Sequence, residues 1–125
     1  MIQIDRITSF DRDEIERLRG SKWKITSQDE SQSTLAEIDL DSLPIESMPQ
    51  DSFNGITEIN LPYDARTFRA IWESRDRIPK SWNGKIFLFY GTKFGGIPHH
   101  REHVLALVGA NGPWRQELHA LGDCI

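Results

Sequence analysis

The cluster His99-His100-Arg101-Glu102-His103 is the stretch whose residue types come closest to a reactive site. It matches H-x-x-E-H, in which two histidines on one helical turn bind zinc and the glutamate serves as general base. A third ligand must then arrive from downstream, and Glu117, His119 and Cys124 are the residues available. Gly95, Gly96 and Pro98 precede the motif and the apolar run 104–108 follows it. A solvated loop entering a strand is therefore expected instead of a helix. There His99 and His103 need not converge. They remain the alternative metal pair, and proton sensing near neutrality suits them equally. The reading is no metal and no cofactor.

Other reactive types are poorly placed. Cys124 is the sole thiol, next to the last residue, and His119 five positions away falls on the other face of a strand. Gly91, Gly95 and Gly96 do not compose a phosphate loop, although Lys93 beside a strand end could meet an anion. Ser21, Ser33 and Ser81 lie outside any G-x-S-x-G context. With no catalytic set in view, a non-enzymatic role is the expectation.

Charge is the stronger signal. The net charge is -4, but it is unevenly spread. Residues 25–64 hold nine acidic side chains and no Lys or Arg, whereas residues 65–115 hold nine basic and three acidic ones. Such asymmetry speaks of partners or of internal pairing. In residues 34–41, Ala36, Ile38 and Leu40 alternate with Glu37, Asp39 and Asp41. On a strand this sends the three carboxylates to one wet face, about 6.5–7 Å apart. With Asp29, Glu30 and Glu46 they form the expected binding face for a basic protein partner. Neutralisation by the basic half of the same chain is the competing account. The other functional reading is a nucleic-acid binder or small enzyme. It would use Arg66, Arg69, Arg77, Lys80 and Lys93 with the 99–103 loop.

These side chains must be carried by local elements. Asp11 and Glu14 fit a capping box, with Gly20 as a stop, which predicts a helix over 12–19. Residues 23–28 and 34–41 read as a hairpin, and Asn54-Gly55 as a turn before a strand at 56–61. Asp64 is a good N-cap for a helix over 65–76, where Phe68, Ile71, Trp72 and Arg75 fall on one stripe. Strands follow at 85–91 and 103–108, with Gly95-Gly96 in a loop between them. Residues 114–121 read as a strand, with a helix as the open alternative.

The segments TLAEIDLDSLPIESM (34–48), DARTFRAIWE (64–73) and IPKSWNGKIFLFYGT (78–92), together with 104–121 and its NGPW, resemble an uncharacterised group of small bacterial hypothetical proteins. The resemblance implies a compact sheet following a Trp-bearing helix and a final strand. It implies no activity.

The expected fold is α+β. It has a single antiparallel sheet of five to six strands with two helices on one face, in the order α-β-β-β-α-β-β-β. The 125 residues suit one domain, 1–125. Its core should include Ile15, Leu18, Trp23, Ile25, Ile38, Leu40, Phe68, Ile71, Trp72, Phe87, Phe89, Leu105, Leu107 and Leu118. The longest apolar runs, 86–90 and 104–108, are far shorter than a membrane span of about 20 residues. The first residues lack the apolar stretch of a signal peptide, and one cysteine forms no internal disulfide. A cytoplasmic setting is the default expectation.

Overall fold

The computed structural model describes residues 1–4, 23–28, 36–96, 102–110 and 112–120. In chain order the elements are β1 (Ile2–Gln3), β2 (Trp23–Gln28), β3 (Glu37–Ile38), β4 (Gln50–Phe53) and β5 (Ile56–Leu61). Then come helix α1 (Ala65–Glu73) and strands β6 (Ile86–Gly96), β7 (His103–Val108) and β8 (Arg115–Ala120). The α+β class is as expected, with sheet dominating. The main sheet runs β4-β5-β6-β7-β8, and β2 also pairs with β6. The expected helix over 12–19, with Ile15 and Leu18, lies outside the described residues. So do the side chains of Trp23 and Ile25.

The sheet is mixed, which corrects the antiparallel expectation. β5 and β6 are parallel, Ile59 facing Phe87 and Leu61 facing Phe89. Parallel neighbours need a crossover, and residues 62–85 with α1 supply it. The remaining ladders are antiparallel. The long strand β6 uses one of its edges twice. Its first half pairs with β5, and Thr92–Gly96 pair with Gln28–Trp23 of β2. Gly95 and Gly96 therefore lie in a strand, not in the expected loop.

The expected hairpin of 23–28 with 34–41 does not form. Glu37 and Ile38 pair with Gln3 and Ile2 in a separate two-stranded ladder. The strand then ends because Asp39 Oδ1 accepts the Asp41 backbone N–H at 3.2 Å and starts a 3-10 turn, Leu40–Ser42. A short polar side chain here competes with the ladder for backbone bonds. A second turn, Ile45–Ser47, begins after Pro44. Asn54 and Gly55, both at positive φ (52 and 79), close the β4–β5 hairpin as a two-residue loop.

Helix α1 starts where the sequence predicts. Asp64 Oδ1 accepts from the Thr67 backbone N–H at 3.0 Å and from the Thr67 hydroxyl at 2.9 Å. The helix stops at Glu73, short of residue 76, and the 3-10 turn Arg75–Arg77 follows. Phe68 and Ile71 are buried, as the stripe requires. Trp72, expected in the core, is only partly buried, and the Arg75 guanidinium lies over its ring at 4.2 Å. Among the tryptophans whose burial is described, the fully buried one is Trp82, stacked on Phe87.

The main core lies between α1 and the sheet, and includes Ile59, Leu61, Phe87, Phe89, Leu105, Leu107 and Leu118. Ile38 and Leu40 join it as expected, while Ala36 is exposed. A second cluster on the opposite sheet face has Leu88, Val104, Ala106 and Val108, with Ile56, Ile86 and Tyr90 at its margin. The final segment is a strand, which settles the choice left open by its sequence.

Candidate functional site

The acidic segment lines a groove on the described part of the chain. Ile38, Leu40 and Ile45 anchor it to the core, and the two 3-10 turns between them hold the backbone outside the sheet. The groove encloses about 790 Å³. Leu43, Pro44, Ile45 and Ile59 supply its apolar lining, and Asp41, Glu46, Gln50, Ser81 and Lys85 its polar lining. Lys85 Nζ donates to the Ser81 carbonyl at 2.6 Å, so this cation is tied to its own turn.

The expected row of three carboxylates is not formed, since β3 ends at Ile38. Each acid has its own situation. Glu37 Oε2 accepts from Gln3 Nε2 at 3.0 Å, and Asp39 caps the first turn. Among the described residues, the carboxylates of Asp41, Glu46, Asp51 and Glu58 have no hydrogen-bond or ion-pair partner. The groove thus brings together Asp41 and Glu46 from the sequence expectation. Asp29 and Glu30 lie outside the described residues.

Asp51 and Glu58 face each other across the β4–β5 ladder. Burial raises the pKa of the Tyr90 phenol, and the negative charges of Glu58 and Asp51 raise it further. These two acids therefore share the sheet face of Tyr90, away from the core under α1.

The basic candidates are dispersed. Arg66 and Arg69 lie on α1, where Arg69 is already engaged. Arg77 Nη2 donates to the Met1 carbonyl at 3.2 Å, beside a small cavity that Asp39 and Asp41 also line. Lys80 is exposed in the 3-10 turn Lys80–Trp82, and Lys93 lies in the second half of β6.

The histidine motif is also divided. His99 lies outside the described residues. His103 opens β7, pairs with Phe94 and Ala120, and is 6% exposed. The strand start at His103 is as expected, and it is the burial of this residue that departs from the solvated-loop reading of the motif. Among the described residues, no group of three His, Cys, Asp or Glu side chains could hold a metal.

One constellation was not expected. On β8, Arg115, Glu117 and His119 alternate and so share a face. Glu117 bridges its neighbours, with Oε1 3.0 Å from His119 Nε2 and Oε2 3.3 Å from Arg115 Nε. Its sequence signal was the R-x-E-x-H spacing within a strand. Burial pushes the Glu117 carboxyl up, but hydrogen bonds from His119 and Arg115 outweigh it and hold it below the usual glutamate range. A lowered native pKa adds stability above the unfolded pKa, and this is lost as pH falls through the native one. Glu117→Gln should therefore have a lower urea midpoint than the wild type at neutral pH. The difference should shrink as pH falls through the carboxylate range. A difference independent of pH would contradict this assignment.

Family models, curated proteins and solved structures offer no match to the chain. Among the described residues, no helix is long and apolar enough to cross a membrane.

Proposed function

We propose that the chain is a non-enzymatic binding module of the inhibitor, immunity or adaptor type, which presents its acidic segment to a basic protein partner. The supporting observation is that Asp41 and Glu46 border a groove with a partly apolar lining and, among the described residues, neither carboxylate has a hydrogen-bond or ion-pair partner. Internal neutralisation would instead place cations of residues 65–115 on the carboxylates of residues 36–58. Among the described residues none is within ion-pair distance. Lys and Arg side chains combine an aliphatic stem with a charged head. That combination suits a groove with Leu43, Ile45 and Ile59 inside and two free carboxylates on it. Like-signed charge around such a site also speeds encounter with an oppositely charged surface. The nucleic-acid alternative receives less support, because Arg69 and Arg77 are already engaged and the candidates are spread over four elements.

The test is affinity capture from the native host with the wild-type chain and a variant carrying Glu37→Gln, Asp39→Asn, Asp41→Asn and Glu46→Gln. A protein with a basic surface should be retained by the wild type at low salt, and released by added salt or by the substitutions. Equal retention of the same proteins by the variant would sink the proposal.

A further inference from the structure

Among the described residues, the outer edge of β4 is open. Among the described residues, β5 is the only strand paired with β4, and Gln50, Asp51 and Ser52 are exposed. The Asn60 N–H donates to the Pro49 carbonyl at 2.8 Å, which fixes the alternation along the hairpin. Pro49, Asp51 and Phe53 turn their backbone groups towards β5, so Gln50 and Ser52 turn theirs outward. The Gln50 side chain folds back to the Glu46 carbonyl at 3.0 Å and leaves this edge clear. Unpaired strand edges of this kind are templates for another strand.

Charge selects the occupant. Asp51 stands directly opposite Glu58, and like charges so placed are unfavourable. Neither has a cation beside it among the described residues. A basic side chain on a strand added to β4 would lie next to Asp51 and relieve that repulsion. A second copy of this chain would worsen it. Pairing two β4 edges about a two-fold axis, through Gln50 and Ser52, sets Asp51 against Asp51. The edge has four residues, so backbone bonds alone are few. The groove extends it, since Gln50 opens β4 and also lines the groove.

We infer that the basic partner docks by adding an extended strand to β4, with a Lys or Arg side chain beside Asp51 and neighbouring residues entering the groove at Glu46 and Asp41. This inference rests on the basic-partner reading above and supplies its mode of recognition.

The probe is a short capped peptide of Lys-Lys-Val-Val repeats, which carries lysines on both strand faces, with hydrogen exchange read at individual amides of the wild-type chain. Saturating peptide should slow exchange at Gln50 and Ser52 by about tenfold or more, without changing the oligomeric state of the chain. Ser52→Pro removes an outward N–H and leaves the β4–β5 ladder its donors, so it should abolish this protection. A peptide N-methylated at alternate backbone amides, tested on the unaltered protein, should fail in the same way. Unchanged exchange at Gln50 and Ser52 overturns strand addition, even if the peptide still shifts the resonances of Asp41 and Glu46. Equal protection by a glutamate–valine peptide overturns the choice of a basic occupant and the functional reading beneath it, while leaving the edge as a strand acceptor.

Discussion

Trp82→Ala is expected to cost about 3–5 kcal/mol of folding stability. Trp82 is 1% exposed, and its ring stacks on Phe87 with centroids 4.2 Å apart and planes at 26°. Phe87 in turn meets Trp114 at 6.3 Å. Truncation would remove one member of this aromatic row and leave a cavity against β6. The total stability of a domain is about 5–15 kcal/mol, so the loss is a large fraction. Urea unfolding followed by far-UV circular dichroism would measure it. Trp72→Ala is the internal control, because Trp72 is partly exposed under Arg75 and should lose clearly less. Equal losses at the two positions would contradict this division of the core.

Gly91→Ala should also be costly, by about 1–3 kcal/mol or more, as is typical of overpacking. A β-carbon at Gly91 would lie 2.6 Å from the Tyr63 carbonyl carbon, and 2.7 Å from both Asp64 N and Pro62 O. These are backbone atoms, so no side chain can swing aside. The same point carries the Gly91 N–H bond to Tyr63 O at 3.0 Å. One residue on, the Thr92 hydroxyl accepts from Ala65 N at 2.9 Å. The start of α1 is thereby fastened to the middle of β6, and the added methyl would pry the two apart. The melting temperature of Gly91→Ala should fall clearly. Gly84, with nothing within 4 Å of its β-carbon position but a positive φ of 78, would report only the backbone penalty. A Gly91→Ala protein that melts like the wild type would refute this close approach.

Several elements were legible because their signals are local. Asp64 and the Phe68–Ile71 spacing mark α1, and Asn54-Gly55 marks the hairpin turn. The apolar run 104–108 gives β7. What was missed depends on distant neighbours. Alternation does not encode strand direction, so the antiparallel expectation missed the parallel β5–β6 pair, whose one signal was the strand–helix–strand order. Residues 50–53 are too few between Pro49 and Asn54 to carry a pattern, yet they form β4. Trp82 sits in a three-residue 3-10 turn, where no periodicity announces burial. At the site, the charges of Asp41 and Glu46 were legible but their groove was not. The groove forms only when residues 81–85 come alongside 41–50. Asp39 misled the strand reading because its side chain bonds its own backbone, a local choice that alternation conceals.

The acidic groove is the centre of the account, and its role is decided by what happens when its two free charges are removed. The most direct measurement is the affinity of the Asp41→Asn, Glu46→Gln chain for the lysine–valine peptide, read against its urea midpoint. Binding should weaken by about tenfold at low salt, with the difference shrinking as salt is added. The midpoint should be unchanged or slightly raised, because neither carboxylate has an internal partner among the described residues. Unchanged affinity with a lowered midpoint would contradict it, and would return these carboxylates to the internal charge balance of the chain.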